Sequence, residues 1–268
     1  MKFSLLMSVY HKDSPSAFKE ALDSLVNSVV SPDEVVLVED GPLGDELQSV
    51  ISSFSNKLPV KNVKLANNVG LGKALSIGLR ECSYEWIARF DSDDICHPAR
   101  FQTQVAFIQL HESIDIIGTA IAEFESSKDD IHAYRKPPIN HDEIVEYAKS
   151  RNPFNHMTVM YRKSKVLEAG SYQDNYLYED YALWVRMINN GAVTANLSEV
   201  LVYARTGNGM EIRRGGIKYA KSEILAQLGF YQIDFISKRQ FLKNLLLRVP
   251  VRLVPGIIRK LIYRCFLR

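Results

Sequence analysis

Hydrophobic residues in the first hundred positions follow two alternating patterns. Short apolar runs at residues 3–9, 34–38 and 85–88 predict strands, and a further strand is predicted over residues 60–65. The run at 34–38 is nearly continuous, as is typical of a strand covered on both faces. Between these runs, apolar residues at helical spacing predict helices that begin at Pro15, Leu43 and Gly72. Four such units in series predict an α/β fold with a mostly parallel central sheet flanked by helices, in which ligands lie at the carboxyl ends of the strands.

The second half of the chain is less regular. Helices are predicted over residues 100–111 and 141–150, and strands over 114–124 and 157–161. A further helix is expected to start at or near Asp180, where apolar residues recur at helical spacing. With 268 residues, of which 46% are hydrophobic, the chain is large enough for one α/β domain with an appendage.

Acidic residues cluster where two of the predicted strands end. Glu39 and Asp40 follow the second strand, and residues 91–94, Asp-Ser-Asp-Asp, follow the fourth. Because parallel strands bring their carboxyl ends to one edge of a sheet, both clusters are expected at one site. Carboxylates this close repel each other, and Mg²⁺ or Mn²⁺ is the cation suited to an all-oxygen site. The alternative interpretation of residues 91–94 is a helix N-terminus, where the dipole favours acidic side chains.

The glycines near residue 70 match neither common phosphate-binding motif. A dinucleotide fingerprint requires spaced glycines after the first strand, where residues 8–11 are Ser-Val-Tyr-His. A phosphate loop requires Ser or Thr after its lysine, where Ala74 follows Lys73. Both motifs are therefore excluded. Lys73 is either a solvated residue of the first helical turn or a cation that faces the ligand edge, and the sequence leaves both interpretations open.

Three residues of the second half are candidate site residues, and each has a structural alternative. His156 is either a satisfied histidine that caps a strand or a member of the site. Asp180 is either the N-cap of its helix or a carboxylate that accepts a proton from an attacking hydroxyl. Trp184 is either a core residue or a platform for a sugar ring.

Charge is unevenly distributed, although the net charge is only +2. Residues 235–268 carry nine basic side chains and no acidic one, which leaves 24 basic and 31 acidic residues elsewhere. Nucleic acid is not expected as a partner, because this basic stretch lacks interleaved aromatic residues and the rest of the chain is acidic. Cysteines 82, 96 and 265 indicate neither a disulfide framework nor a zinc site, which suits a reducing cytoplasm.

The basic tail is predicted to be amphipathic. Its apolar face comprises Phe241, Leu242, Leu245, Leu246 and Val249, followed by Ile257, Ile258, Leu261, Ile262, Cys265 and Phe266. Basic residues occupy the other face, a pattern typical of helices that lie in the interface of an anionic membrane. A helical cap on the domain with a solvated basic face is the alternative.

Taken together, five segments resemble glycosyltransferase family 2, a family of inverting enzymes with the nucleotide-sugar-binding GT-A fold. In chain order they are Met7-Ser8-Val9-Tyr10, Val38-Glu39-Asp40-Gly41, residues 67–74 (Asn-Asn-Val-Gly-Leu-Gly-Lys-Ala), Asp91-Ser92-Asp93-Asp94, and Glu179-Asp180 with Trp184 and Arg186. The resemblance covers roughly residues 3–216. It implies a domain of residues 1–216, with a nucleotide-binding half about 1–97 and an acceptor half about 98–216, and a membrane-associating tail of residues 217–268.

On the donor side, the resemblance implies that Val9 and Tyr10 contact the nucleobase and that Glu39 accepts a hydrogen bond from it. Lys73 is expected near the base or the diphosphate. Many relatives carry an Arg-x-His element, but no histidine follows Arg205 here, so this arginine is expected to hold the diphosphate instead.

The resemblance also implies the roles of the acidic residues. Asp93 is expected to ligate Mn²⁺ or Mg²⁺ between the two phosphates, and Asp91 is expected to meet the ribose, a metal-bound water or the metal. Asp180 is expected to be the general base, and one base suffices for a single inverting displacement. The remaining candidates for contact with acceptor or diphosphate are His156, Glu179, Trp184, Arg213 and Arg214.

The tail extends the resemblance to bacterial enzymes that elongate undecaprenyl-diphosphate-linked sugars in O-antigen or exopolysaccharide assembly. This implies a UDP-hexose donor, a lipid-linked saccharide acceptor, and a cytoplasmic enzyme held peripherally on the inner face of the bacterial inner membrane. Addition of one sugar per acceptor is expected, because the Gln-x-x-Arg-Trp element of processive polymerases is absent. The alternative hypotheses are a sugar-phosphate nucleotidyltransferase and a non-catalytic sugar-binding scaffold.

Overall fold

The first half of the chain forms three successive strand–helix units followed by a fourth strand. A computed structural model describes residues 1–175, 177–207 and 215–254. Its first elements are β1 (Phe3–Val9), α1 (Pro15–Val26), β2 (Glu34–Glu39), α2 (Asp45–Phe54), β3 (Val60–Lys64), α3 (Leu71–Glu81) and β4 (Trp86–Arg89). The strands and helices predicted for residues 3–88 are therefore confirmed to within about two residues at each end.

The second half adds shorter strands and more helices. In chain order these are β5 (Ile95–Cys96), α4 (Arg100–Leu110), β6 (Ile116–Phe124), β7 (Ile131–Arg135), α5 (His141–Ala148), a 3₁₀ turn (His156–Thr158), β8 (Met160–Arg162), α6 (Lys163–Glu168), α7 (Glu179–Asn189), β9 (Thr194–Arg205), α8 (Ile217–Gln232) and α9 (Lys238–Leu253). The expected strand over 157–161 is wrong at its start, because the 3₁₀ turn replaces its first residues.

The nine strands found in the described residues belong to one sheet with the order β3-β2-β1-β4-β8-β6-β9-β5, and β7 pairs with β6. Strands β1 to β4 are mutually parallel, and β6 and β9 are parallel as well. Strands β5, β7 and β8 run antiparallel to their neighbours. The predicted helix-flanked α/β fold is confirmed, and the carboxyl ends of β1, β2 and β4 lie at one edge of the sheet.

Alternate residues of the central strands pack on opposite faces of the sheet. In β1, Leu5 and Met7 join one hydrophobic cluster together with α1, α2 and α4, whereas Leu6 joins a second cluster together with α3, α5 and α7. Both faces are therefore covered, which explains why these strands have nearly continuous apolar sequences.

Helices α8 and α9 form a hairpin that packs on the domain. Buried residues of α7 and α8 share a third apolar cluster, and Tyr231 of α8 stacks on Phe241 of α9 at 5.5 Å. Of the residues predicted to form one apolar face, Phe241, Leu245 and Val249 are half-buried, whereas Leu242 and Leu246 are exposed. The apolar face predicted for residues 257–266 lies outside the described residues. None of the helices described is long and apolar enough to span a membrane.

Candidate active site

Asp91, His156 and Asp180 form a continuous chain of polar contacts. The Nε2 atom of His156 lies 2.5 Å from Oδ2 of Asp91, and its Nδ1 atom lies 3.6 Å from Oδ2 of Asp180. The three side chains come from the segment after β4, the 3₁₀ turn before β8, and the first turn of α7. The fold therefore brings together Asp91 and His156, which are 65 positions apart in the sequence, and His156 and Asp180, which are 24 apart.

Asp91 is held as a carboxylate. The buried guanidinium of Arg89, the last residue of β4, hydrogen-bonds to Oδ1 of Asp91. Burial alone raises the pKa of Asp91, but the positive charges of Arg89 and His156 outweigh burial and hold that pKa well below its usual range. Burial likewise opposes protonation of His156, yet the carboxylates of Asp91 and Asp180 raise its pKa to about 9.

Asp180 is oriented by two hydrogen bonds. The side-chain amide of Asn152 donates to Oδ2 of Asp180 at 2.7 Å, and the backbone N–H of Tyr181 donates to Oδ1 at 2.7 Å. The N-cap of α7 is Tyr178, so the alternative that Asp180 caps this helix is wrong. Asp180 lies in the first turn of α7.

Glu179 lies beside Asp180 and packs against the N-terminus of α3. A Cβ atom placed on Gly72 would lie 3.1 Å from Cβ of Glu179, so a larger residue at this position would have to displace Glu179 by a few tenths of an ångström. Burial and the neighbouring charge of Asp180 raise the pKa of Glu179 to about 7. The carboxyl of Glu179 thus holds its proton more tightly than an exposed glutamate does.

Residues 91–94 form an acidic loop with an excess of negative charge. Burial and repulsion from Asp91 and Asp13 raise the pKa of Asp93 to about 6. Burial and the charges of Asp91 and Asp93 raise the pKa of Asp94 well above its ordinary value, and its Oδ2 atom is buried without a hydrogen-bond partner. Such mutual repulsion is the electrostatic environment that a bound divalent cation relieves.

The acidic loop fits a cation held jointly by protein and ligand. Across residues 1–175, 177–207 and 215–254, no three His, Cys, Asp or Glu side chains converge to form a complete metal cage. Asp93 is half-buried and Asp91 is already bound to Arg89 and His156. The donor set therefore suits a metal that takes one or two carboxylates and completes its shell with phosphate oxygens and water.

Asp13 and Arg205 hold the acidic loop in place. Oδ2 of Asp13 accepts hydrogen bonds from the Oγ of Ser92 at 2.9 Å and from the backbone N–H of Tyr10 at 3.1 Å. Arg205, the last residue of β9, donates from Nε to the carbonyl of Asp93 at 3.0 Å and contacts Glu20. Its guanidinium thus contacts protein groups here, and its predicted role at the diphosphate stays a prediction.

Glu39 presents a buried oxygen at the end of β2. Its Oε2 accepts from the amide of Gln48 at 2.6 Å, while its Oε1 is buried and has no hydrogen-bond donor. The ammonium of Lys64 lies 3.6 Å from Oε1, beyond hydrogen-bond distance. An oxygen in this state could accept a hydrogen bond from a ligand N–H, and the contact of Glu39 with the nucleobase stays a prediction.

Asp40 has a different role from its neighbour. Its carboxylate accepts from the backbone N–H groups of Val69 at 2.7 Å and Gly70 at 3.1 Å. It therefore holds the loop that leads into α3. Lys73, in the first turn of α3, is half exposed, and its ammonium pairs with Asp174 at 2.9 Å. It is therefore a solvated first-turn residue in this structure, and its contact with a ligand stays a prediction.

The remaining candidates lie in different environments. Val9 is buried at the end of β1, and Tyr10 next to it is half-buried beside His11. Trp184 has no exposed surface and packs among Phe154, Tyr161 and Tyr172, so the prediction that it contacts an acceptor is wrong. Arg213 and Arg214 lie outside the described residues.

Sequence reasoning missed three residues of this site: Asn152, Asp13 and Arg89. Asn152 and Asp13 contact residues that are distant in the sequence, and Arg89 is a buried residue of a strand. None of the three belongs to an obvious motif. The signal available for Asn152 was its position in the segment Asn-Pro-Phe-Asn-His that precedes His156. A polar residue in such a loop is a candidate for function rather than for packing.

The fold and the site define a glycosyltransferase, and the chain belongs to glycosyl transferase family 2, whose sequence pattern matches residues 4–170. An uncharacterized glycosyltransferase of Haemophilus influenzae is 46% identical over 268 residues and covers the whole of both chains. The UDP-Gal:alpha-D-GlcNAc-diphosphoundecaprenol beta-1,3-galactosyltransferase of Escherichia coli is 42% identical, over 100% of this chain and 97% of its own. The family resemblance is thereby confirmed, and the nucleotidyltransferase and scaffold hypotheses are set aside.

A solved structure shares the fold. The crystal structure of S. aureus TarS 1-349 in complex with UDP-GlcNAc superposes with a TM-score of 0.70 at 20% identity, over 91% of this chain and 70% of that one. At this level of identity the likeness shows a common fold, which is the GT-A arrangement expected from the sequence.

Proposed function

We propose that this protein transfers one sugar with inversion from a nucleoside-diphosphate sugar to a lipid-linked saccharide, with Asp180 as the general base. The observation that carries this proposal is the position of Asp180, one imidazole away from Asp91. Asp91 belongs to the predicted donor side, and Asp180 lies beyond it at the start of α7. A sugar bound alongside this row of three side chains would present its anomeric carbon to an acceptor hydroxyl beside Asp180.

The transfer step follows from this arrangement. The carboxylate of Asp180 accepts the proton of the acceptor hydroxyl while the oxygen attacks the anomeric carbon. The bond between that carbon and the diphosphate oxygen breaks on the opposite face, and its electron pair leaves with the diphosphate. Asn152 and the backbone N–H of Tyr181 fix the orientation of this carboxylate. A single displacement of this kind inverts the configuration.

Asp93 would hold Mn²⁺ or Mg²⁺, with Asp91 as the neighbouring carboxylate. A bound cation would offset the negative charge that develops on the leaving diphosphate. Asp94, buried behind Asp93 and tied to the backbone N–H of Arg205 at 2.8 Å, would keep the acidic loop in shape rather than touch the ligand.

The proposed donor is a UDP-hexose. The E. coli relative is named as a UDP-galactose enzyme, and the TarS structure contains UDP-GlcNAc. In this chain the buried Oε1 of Glu39 is the acceptor available to a uracil N–H, and Val9 and Tyr10 lie on the neighbouring strand end. Lys73 and Arg205 are the proposed cations toward the diphosphate, and each would exchange a present carboxylate contact for the ligand.

The proposed acceptor is a saccharide on a lipid diphosphate, reached from the inner face of the bacterial inner membrane. The name of the E. coli relative specifies a diphosphoundecaprenol acceptor. In this chain α9 exposes Leu242, Leu246, Leu247 and Leu253, and it carries basic but no acidic residues. Exposed leucines beside basic side chains match an anionic lipid surface in both apolarity and charge.

The proposed function is tested by donor titration followed by product analysis. Calorimetry with UDP, GDP and CMP, each with and without Mn²⁺, should show metal-dependent binding of UDP. The purified enzyme should then convert an α-linked UDP-hexose and a short-chain lipid-diphosphate GlcNAc into a β-linked disaccharide, as read from the anomeric coupling in NMR. A retained α configuration would overturn inversion, and binding of GDP but not UDP would overturn the donor.

A further inference from the structure

The α8–α9 hairpin contains a buried cluster of charged residues. Glu223 of α8 has no exposed surface, and its carboxylate pairs with Arg248 at 2.8 Å and with Arg252 at 3.0 Å, both from α9. Both arginines approach it from the inner side of α9, where an ordinary surface helix would place apolar residues. The same helix turns Leu246 and Leu247 outward. Packing of the hairpin on the domain therefore depends on specific polar contacts.

One arm of this cluster reaches the start of α7. The hydroxyl of Tyr178 donates to Oε2 of Glu223, and Arg252 donates to the same hydroxyl at 3.3 Å. Tyr178 is the N-cap residue of α7 and precedes Asp180 by two positions. The preceding residue, Leu177, has φ +67, a left-handed conformation that is rare for leucine and needs neighbouring contacts to hold it. The contact with Glu223 therefore bears on the conformation of the turn that presents Asp180.

A second arm reaches the segment that carries Asn152. The amide of Asn244 donates to the carbonyl of Lys149 at 2.8 Å, and the guanidinium of Arg248 donates to the carbonyl of Ser150. These carbonyls lie at the C-terminal end of α5, two to three residues before Asn152. Carbonyls at the C-cap and just beyond it have no partner inside the helix, and the hairpin supplies donors to these two.

We propose that the α8–α9 hairpin positions Asp180 for catalysis, because it holds both of the segments that meet in the Asn152–Asp180 hydrogen bond. This inference rests on the proposed role of Asp180 as the base. Tyr178, Asn244 and Arg248 are positioning residues in this arrangement, since they act through Asp180 and Asn152. The α8–α9 hairpin then has two roles: it supports the acceptor site, and its helix α9 exposes the leucines proposed to contact the membrane.

The test uses the full-length enzyme with a water-soluble, short-chain acceptor, so that membrane binding does not enter the rate. Tyr178→Phe removes only the hydroxyl that reaches Glu223, and Asn244→Ala removes the contact with Lys149. We expect kcat to fall about tenfold in each variant, since small misplacements of a catalytic group have large effects on rate, while the KM and Kd for the donor stay at the wild-type values. Tyr231→Phe, the same change on the exposed side of α8, is the matched control and should leave all three constants unchanged.

The outcomes separate this inference from the proposed function. Unchanged kcat in both Tyr178→Phe and Asn244→Ala would overturn the positioning role, and so would a rise in donor KM at constant kcat. Asp180→Asn is assayed in parallel. If Asp180→Asn is inactive while the other two variants match the wild type, only the positioning role fails; if Asp180→Asn remains active, the assigned base fails with it.

Discussion

His156 lies with its Nδ1 atom 3.6 Å from Oδ2 of Asp180, close enough for electrostatic attraction but too far for a good hydrogen bond. Its other ring nitrogen is firmly bound to Asp91. The imidazole therefore separates two carboxylates that would otherwise repel each other across the site. In the proposed role, an acceptor hydroxyl would approach a carboxylate that is tightly bound to Asn152 and to the backbone of Tyr181 but only loosely contacted by the imidazole.

Replacement of His156 by Asn should reduce transfer. The variant removes the positive charge between Asp91 and Asp180, and we expect kcat to fall by about ten- to a hundredfold, in the range seen when a single electrostatic group is lost from an active site. Steady-state kinetics with saturating donor measures the change. His111→Asn, at the exposed end of α4, serves as the control and should be as active as the wild type. A wild-type kcat in His156→Asn would show that the charge of the imidazole does not contribute to the rate of transfer.

Replacement of Glu39 by Gln should weaken donor binding. In the variant, the position of the buried Oε1 is taken either by a neutral carbonyl oxygen or by an amide NH₂, which cannot accept a hydrogen bond. Loss of a hydrogen bond to a charged group costs about 1.5–3 kcal/mol, which corresponds to roughly ten- to a hundredfold in Kd. Calorimetry with UDP measures this directly. Glu34→Gln changes the same residue type at the opposite end of β2, where it binds Ser4 and Ser83, and it should leave the Kd for UDP unaltered. Equal Kd values for both variants would remove Glu39 from the nucleobase site.

The regular half of this fold was predictable because its strands are buried on both faces. An apolar run without alternation identifies a central parallel strand such as β1 or β2, and the residues that follow it then point to the ligand edge. Glu39 and Asp91 were found in this way. The short edge strand β7 was not, since its residues are half-buried or exposed and carry no clear period.

The contacts of the site were not predictable from local pattern. The hydrogen bonds of Asp180 with Asn152 and of Asp91 with His156 join residues 28 and 65 positions apart, and no periodicity encodes such a distance. Trp184 was misassigned for a related reason: a helical repeat indicates which residues share a face, but only packing against neighbouring elements shows that this face is fully buried. The polar inner side of α9 likewise contradicts the usual apolar-inward rule, because Glu223 supplies the opposite charge.

Stability should depend on Glu223 in a pH-dependent way. Burial alone raises the pKa of Glu223, but Arg248, Tyr178 and Arg252 outweigh burial and lower it below the ordinary value of 4.5. This stabilisation is fully present above the unfolded-state pKa and is lost as the pH falls through the lower pKa of the folded state. Glu223→Gln leaves two inward-facing arginines without their counter-charge, so at pH 7 its unfolding free energy should be lower by about 3–5 kcal/mol.

Chemical denaturation of the wild type and Glu223→Gln between pH 7 and pH 3 measures that difference. It should be constant from pH 7 to about pH 5 and shrink at lower pH, as linkage requires for a carboxylate with a lowered pKa. Glu143→Gln, on the exposed first turn of α5, is the control and should show little change at any pH. A difference that grows on acidification would contradict the assigned direction of the shift.

Membrane binding should depend on the exposed leucines of α9. Leu246 and Leu247 are 75% and 62% exposed, and transfer of a leucine side chain from water contributes about 1.5–3 kcal/mol when burial is complete. The double change to Ser should therefore weaken binding to phosphatidylglycerol vesicles by about tenfold or more, as measured by flotation at low salt. Leu110→Ser, an equally exposed leucine on α4, is the control. Binding that is equal on neutral and anionic vesicles would argue against the contribution of the basic residues.

The central claim, that Asp180 activates the acceptor while other residues bind the donor, is tested most directly with Asp180→Asn. The same preparation is titrated with UDP in the presence of Mn²⁺ and assayed for disaccharide formation by mass spectrometry. We expect a wild-type Kd for UDP together with a transfer rate lowered by at least about a thousandfold, because the amide retains the shape of the side chain but accepts no proton. Transfer within a few fold of the wild type would contradict the assignment of the base.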